Sequence, residues 1–284
     1  MDQQIINLYD EYTHKPLRRE EFLSRLAKLA GGTVAAAALL PLLEVNYASA
    51  SVTKPEDLFT ERVTYPGASG EMKAYVARPK TEKKYGSVVV IHENRGLNPH
   101  IEDVTRRAAN AGFLAIAPDA LSGDGGTPMD EDKARELIGQ LDPQKNLQNF
   151  IKAFDYLGTR KDSNGKFGCV GFCWGGGMSN QLAVNMPNLL AAVAFYGRQP
   201  DAADVPKIKA AVQLHYGSLD ERIDAGIPAY EDALKKAGVR YELYMYEGAN
   251  HAFHNDTAPT RYNEAAAKLA WQRTVDFWNK WLGK

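Results

Sequence analysis

The sequence predicts an α/β fold in which a mostly parallel central sheet carries helices on both faces. Three observations carry this reading. From residue 51 onward, apolar β-branched runs alternate with amphipathic stretches of helical length, the pattern of parallel strands joined by crossover helices. The run Ser87 to His92 is apolar between its ends, as a strand covered on both faces requires. Finally, Gly171-Phe172-Cys173-Trp174-Gly175-Gly176-Gly177 follows an apolar run and precedes a helical one, which places a glycine-flanked turn at the carboxyl edge of a sheet. A chain of 284 residues, 44% hydrophobic, can bury the core of one large domain with an appendage.

The elements follow in order. Glu61–Tyr65 and Glu71–Arg78 read as strands joined by the turn Pro66-Gly67-Ala68-Ser69-Gly70. Ser87–His92 is the next strand, followed by a helix from Pro99 to near Gly112. Phe113–Ala117 is a strand closed by Pro118-Asp119, and Leu121–Thr127 is a glycine-rich loop. Glu131–Gln140 and Asn146–Thr159 read as helices, Phe167–Gly171 as the strand entering the turn, and Met178–Met186 as the helix leaving it. Leu190–Tyr196, Ala210–Tyr216 and Tyr241–Tyr246 are further strands, with helices over Ala225–Ala237 and Arg261–Trp281. Trp271, Phe277, Trp278 and Trp281 recur at helical spacing on the last of these and are expected in the core. His14, His100 and His215 read as structural or solvent-exposed.

Residues 1–50 stand apart from the domain at 51–284. Arg18-Arg19, the apolar run Leu26 to Leu43 and Ala48-Ser49-Ala50 form the pattern of a twin-arginine export signal. Glu21 and Glu44 run against it. The alternative is a retained helical arm with Phe22, Leu26 and Leu29 on its apolar stripe, packing on the domain or joining copies into a homo-oligomer. Export would make the protein periplasmic, retention cytoplasmic, and both readings stay open. Gly31-Gly32 and Pro41 break the apolar run below membrane-spanning length.

Composition narrows the partners. Thirty-four basic against 35 acidic residues, net −1, argue against an extended basic surface, so nucleic acid is not expected. Two cysteines make no disulfide framework. Cys169 and Cys173 lie four apart across a strand-to-turn junction, beyond the roughly 7 Å Cα separation a disulfide tolerates. Without another cysteine or a close histidine pair, no metal site is expected, and no cofactor is required.

The chemistry starts from Cys173. A small–x–nucleophile–x–small turn between strand and helix projects its central side chain outward. The bland reading is a buried, inert thiol. Two residues at later strand ends answer it: Asp220 in Gly217-Ser218-Leu219-Asp220 and His251 in Gly248-Ala249-Asn250-His251. Taken singly, Asp220 could cap a helix and His251 could sit in a loop. Together, nucleophile, acid and histidine stand in the chain order of α/β-hydrolases. A thiol of pKa about 8.5 is mostly neutral at pH 7, so an imidazole must take its proton and a carboxylate must orient that imidazole. The loop His92-Glu93-Asn94-Arg95-Gly96 follows the central strand, where the backbone amides of Asn94 and Trp174 would form the oxyanion hole. Glu93 reads either as a surface charge or as a second proton acceptor that switches the thiol.

On these residues the chain resembles the dienelactone hydrolase (carboxymethylenebutenolidase) family. The resemblance rests on His92-Glu93, Gly171 to Gly176, Gly217 to Asp220 and Asn250-His251-Ala252-Phe253, and covers roughly residues 60–284. It is similar to a bacterial branch with an N-terminal extension and the strings 92–99, Phe195-Tyr196-Gly197-Arg198-Gln199 and His251 to Asp256. It implies an α/β-hydrolase fold, hydrolysis of an ester or lactone by Cys173, His251 and Asp220, and a Glu93 that alternately holds the thiol neutral and helps to deprotonate it. Members that cleave dienelactone grip its carboxylate with two arginines, where this chain has approximately Ser122 and Asn255. Arg95 and Arg198 are candidates for a replacement anion site, with Tyr196, Phe253 and His254 as further pocket residues. Acyl transfer or peptidase chemistry on the same thiol, and a non-catalytic binding protein on a hydrolase fold, remain as alternatives.

Overall fold

The structure, a computed structural model, describes residues 1–45 and 53–283. Eight strands form one sheet: β1 (Phe59–Pro66), β2 (Glu71–Arg78), β3 (Tyr85–Ile91), β4 (Leu114–Pro118), β5 (Ser163–Phe172), β6 (Ala191–Phe195), β7 (Ala211–Gly217) and β8 (Tyr241–Tyr246). Their spatial order is β1-β2-β4-β3-β5-β6-β7-β8. β1 and β2 form an antiparallel hairpin, β2 runs antiparallel to β4, and every later pairing is parallel. The carboxyl ends of β3, β5, β6, β7 and β8 therefore lie side by side along one edge, where loops can converge.

The helices that cover the sheet are α4 (Pro99–Asn110), α5 (Glu131–Gln140), α6 (Pro143–Thr159), α7 (Trp174–Asn185), α8 (Glu221–Asp224), α9 (Ile227–Ala237) and α10 (Glu264–Leu282). The alternation along β3 shows how they divide. Val89 and Ile91 pack with Phe150, Leu182 and Leu234 of α6, α7 and α9. Val88 and Val90 pack with Val104, Phe277 and Trp278 of α4 and α10. Side chains two apart on a strand share a face, so both faces of β3 are apolar and both are buried. Trp278 is fully buried as expected of the aromatic stripe; Trp271 and Trp281 pack at its margin.

Helix starts carry their caps. The side chains of Asn98, Asp130, Asp142 and Asn263 accept from backbone amides in the first turns of α4, α5, α6 and α10, each typically stabilising by about 1 kcal/mol. Sequence and structure differ mainly at ends. α7 begins four residues before the expected Met178, directly after Cys173, so the turn is shorter than its glycines suggested.

Residues 1–45 fold as three further helices, α1 (Gln3–His14), α2 (Arg19–Ala30) and α3 (Thr33–Leu43). Their apolar residues make a small core of their own: Ile5, Leu8, Tyr9, Tyr12, Phe22, Leu26, Ala36 and Leu43. Phe22 and Leu26 are buried as expected, but Leu29 is 43% exposed, because the turn at Gly31, with φ 80°, ends α2 before that face is covered. No single described helix is long and apolar enough to cross a membrane; α2 and α3 meet at 111°. Ala48-Ser49-Ala50, the expected cleavage motif, lies outside the described residues.

Candidate active site

Cys173 sits between the end of β5 and the first residue of α7 with φ 55° and ψ −113°, a conformation an L-residue adopts only under constraint from its surroundings. Its amide donates to the Phe195 carbonyl at 3.0 Å and its carbonyl accepts from Gly177 at 3.1 Å. The flanking glycines are obligatory for close approach. A Cβ at Gly171 would run into the Gly175 carbonyl, and one at Gly175 into the carbonyls of Ile91 and His92. The backbone amide of Trp174 heads α7, where no intrahelical acceptor exists, and the helix dipole favours negative charge there. Cys169, by contrast, is fully buried against the Ser179 hydroxyl, and burial pushes its thiol up to about 12.

His251 follows β8 and Asp220 follows β7. His251 Nδ1 lies 2.5 Å from Asp220 Oδ2, with both side chains at most 4% exposed. A carboxylate at Nδ1 assigns the proton to that nitrogen and leaves Nε2 as the acceptor. Nε2 is buried without a hydrogen-bond partner. Asp220 also caps α8, its Oδ1 accepting from the Ile223 amide at 3.4 Å. Capping and orienting the histidine are thus compatible, one oxygen each.

Glu93 is not a surface charge: it is 5% exposed. Its Oε2 accepts from Asn255 Nδ2 at 2.8 Å and its Oε1 from the Tyr196 hydroxyl at 3.3 Å. Burial alone would raise its pKa, but the facing charges of His100, Arg261 and Arg95, with the Asn255 bond, hold it below the ordinary value. Asn255, one of the two places where arginine was missed, is therefore the group that holds Glu93. Ser122, the other, is buried and bonded to the backbone of Asp119 and Lys73. His92 stacks on Trp174 at 5.2 Å between centroids. Its Nδ1 faces the Glu93 carbonyl and its Nε2 accepts from the Ala120 amide, so the ring is neutral and fixed.

The arm contributes directly to this site. His14 Nε2 lies 3.0 Å from Cys173 Sγ. On the other side of the ring, Nδ1 faces Asp10 Oδ1 at 3.0 Å and the Asp10 carbonyl at 2.9 Å. The rings of His14 and His251 pack edge to face at 4.6 Å. This corrects the reading of His14 as structural or exposed: its side chain is only 12% exposed. Sequence held one local signal of it, an aspartate and a histidine one turn apart on the same helix face. Burial would lower the His14 pKa, yet the neighbouring Cys173 sulfur and the Asp10 carboxylate outweigh it and the pKa is raised. Sulfur and the two imidazole nitrogens lie within 4.8 Å of one another, a juxtaposition that spacing along the chain concealed. A tetrahedral zinc would hold sulfur and nitrogen about 3.6 Å apart, given bonds of roughly 2.3 and 2.05 Å. The 3.0 Å contact is shorter than that and lies within hydrogen-bond distance.

Polar contacts dock the arm on its own domain. Asn94 Nδ2 donates to the Thr13 carbonyl at 2.8 Å, Arg135 Nη1 to the Tyr12 carbonyl at 2.5 Å, and Arg95 Nη2 to the Tyr9 hydroxyl at 3.2 Å. Arg222 Nε pairs with Asp10 at 3.2 Å and Arg19 with Asp132 at 3.0 Å. A cleft of about 770 Å³ opens between arm and domain, lined by His14, Asn94, Cys173, Trp174, Tyr196, Arg198 and His251 among others.

The other expected pocket residues divide. Tyr196 and the exposed Arg198 line the cleft; burial, then Glu93 and Cys173, push the Tyr196 phenol well above its usual range. Arg95 does not line it. It is buried against Glu131 at 2.7 Å and serves the arm. Phe253 is fully buried between Phe195, Tyr196 and Tyr246. His254 lies behind the site, stacked on Phe172, and burial drives its pKa far down. Both were read as pocket residues from their nearness to His251 in sequence; the turn with Ala252 at φ 63° carries them inward instead. His100 and His215 are buried, on Asp256 and on Tyr246 and Gln213 respectively.

A family model, the dienelactone hydrolase family, matches residues 72–282. The chain belongs to this family. It is 32% identical over 255 residues to a protein of Saccharolobus solfataricus provisionally named carboxymethylenebutenolidase, across 76% of this chain and 97% of the relative. A similar protein of Escherichia coli K12 is 31% identical across 84% of this chain and 93% of its own length. Among solved structures, one described as a dienelactone hydrolase from Klebsiella pneumoniae subsp. pneumoniae superposes with a TM-score of 0.73 at 29% identity, covering 79% of this chain and 99% of that one. The α/β-hydrolase fold and a carboxylic ester or lactone hydrolase follow. The family match begins at residue 72, so the arm that brings His14 to the sulfur lies outside it.

Proposed function

We propose that this hydrolase cleaves a small ester or lactone in two half-reactions, through a thioester on Cys173. The observation that carries the reading is the 2.5 Å His251–Asp220 contact beside a cysteine held at positive φ at the head of α7. In the three-residue form of the cycle, His251 takes the thiol proton and sulfur attacks the carbonyl carbon. The oxyanion is received by the amides of Trp174 and Asn94. The C–O bond breaks as His251 returns the proton to the leaving oxygen. Water then attacks the thioester, giving its proton to His251, and the C–S bond breaks. Glu93, held by Asn255 and Tyr196, keeps the Tyr196 ring, 4.9 Å from His251 between centroids, at the wall of the cleft.

Arg198 is the proposed reader of an anionic group on the substrate, because its side chain is exposed at the cleft whereas Arg95 is committed to Glu131 and Tyr9. Hydrolysis of a panel of small esters and lactones, with and without a carboxylate, tests the reading. Cys173→Ala is expected to abolish turnover, and the wild type to accumulate a thioester detectable by intact mass; full turnover by the variant overturns the mechanism. Arg198→Ala is expected to raise KM about tenfold for the anionic members and leave the neutral ones unchanged.

A further inference from the structure

We propose that His14 and Asp10 of the N-terminal arm are a second acid–base pair of the active site, with His14 taking the proton of Cys173 in the first half-reaction and His251 serving the second. This rests on the hydrolase reading above and divides its proton transfers between two histidines.

The hydrogen-bonding pattern assigns the protons. His14 Nδ1 is hydrogen-bonded to the Asp10 carbonyl at 2.9 Å, pairs with Asp10 Oδ1 at 3.0 Å and lies 3.0 Å from the Thr13 hydroxyl, which itself donates to that carbonyl, so Nδ1 carries the hydrogen. Nε2, directed at Cys173 Sγ at 3.0 Å, is then the acceptor for the thiol proton. His251 Nδ1 likewise faces a carboxylate, Asp220 Oδ2 at 2.5 Å, with Arg222 Nη2 farther off at 3.5 Å, but its Nε2 is buried with no hydrogen-bond partner. The thiol is thus hydrogen-bonded to one imidazole while a second, 4.6 Å away ring to ring, presents an open acceptor to the same space. His14 also forms a wall of the cleft that contains Cys173, so a bound carbonyl compound touches it.

The balance closes. In the first half-reaction the S–H proton moves to His14 Nε2, the S–C bond forms, the C–O bond breaks, and the same proton passes from His14 to the leaving oxygen. In the second, a water proton moves to His251 Nε2, the new O–C bond forms, the C–S bond breaks, and His251 returns its proton to sulfur. Each imidazole ends neutral. The charges facing His14 suit this. Asp10 and Lys15 belong to its own segment, Arg222 of α8 pairs with Asp10, His251 and Cys173 face the ring, and Arg135, Glu136 and Arg198 border the cleft. Burial would raise the Asp10 pKa, but His251, His14 and Arg222 hold it well below the usual carboxylate range, so it stays anionic beside Nδ1.

The test uses the full chain with His14→Gln, His14→Ala and His251→Gln. Alkylation of Cys173 by iodoacetamide, followed across pH by mass spectrometry, needs no substrate. His14→Gln is expected to slow it about tenfold at pH 7 and move the profile upward by about one unit. On the best ester of the panel, His14→Gln is expected to lower kcat/KM by about 10²–10³ without thioester accumulation, and imidazole to restore part of the activity of His14→Ala. His251→Gln is expected to accumulate the thioester. A folded His14→Gln that alkylates and turns over like the wild type overturns the proposal, and so does one that turns over faster, since the arm would then only be a plug. If Cys173→Ala is inactive while His14→Gln is normal, the hydrolase reading stands and this one falls. If no ester or lactone is cleaved, the hydrolase reading falls and the division of its half-reactions falls with it, whatever the alkylation profile shows.

Discussion

Two histidine–aspartate pairs meet at one sulfur, and they are built in different ways. His251 and Asp220 stand on separate loops after β8 and β7, two adjacent parallel strands of the domain sheet. Their 2.5 Å contact joins two loops whose bases are held side by side by the β7–β8 register. His14 and Asp10 lie one turn apart on a single helix, so the pair is preassembled by helix geometry alone. What must be arranged is its delivery to the sulfur, which depends on contacts between the arm and Asn94 of the loop after β3, Arg135 of α5 and Arg222 of α8. One pair is locked into the fold; the other is docked. Docking by a few polar contacts leaves a site that conditions and substitutions can loosen without unfolding the domain.

The largest effect expected to separate the two is at the locked pair. Asp220→Asn should lower kcat about 10⁴-fold, through loss of imidazole orientation, with little change in arm docking measured by protease protection of residues 1–45. An equal loss of protection would show that the pairs are not independent. Next in size is the loss of 10²–10³ on replacing His14, with Asp10→Asn expected near tenfold because the Asp10 carbonyl still faces Nδ1. Arg222→Ala removes the domain's ion pair to Asp10 and should cost a further few-fold. Because such exposed or half-exposed ion pairs are screened, 0.5 M salt should lower activity and arm protection together in this variant more than in the wild type. A salt response confined to activity would place the effect in the substrate instead.

The smallest effect tests the load on the locked pair. Burial, with Asp220 adding to it and His251 opposing, raises the Asp224 pKa from 3.8 to about 6. A group with a raised folded pKa contributes stability that is fully present below its unfolded pKa and lost as pH rises through the folded one. Above about pH 6 the Asp224 carboxylate therefore costs stability. Asp224→Asn should raise Tm at pH 8 by the equivalent of on the order of 1 kcal/mol, after discounting for partial exposure, and give little gain near pH 4. The same gain at both pH values would refute this origin.

Much of the domain was legible because its signals are local. β2, α5 and β8 have the bounds that their patterns predict, and the glycines around Cys173 mark a turn whose neighbours leave no room for a Cβ. Ends shifted where caps decided them: α6 starts at Pro143 because Asp142 accepts from Lys145 N, three residues before the apolar periodicity begins. Phe253 and His254 were misplaced because proximity in sequence says nothing about which way a turn delivers side chains. The sequence left Glu93 open between a surface charge and a second proton acceptor because two of the groups that hold it, Arg261 and Asn255, come from more than 160 positions away.

By itself the sequence determined the α/β architecture, the strained turn at Cys173 and the order of Cys173, Asp220 and His251, since hydrophobic period, glycine placement and strand ends are written within a few residues of where they act. Only the tertiary structure decided that His14 reaches the sulfur. That contact spans 159 positions and arises from where the arm settles on Asn94, Arg95, Asp132, Arg135 and Arg222, a sum of side-chain contacts between distant segments that no local pattern encodes.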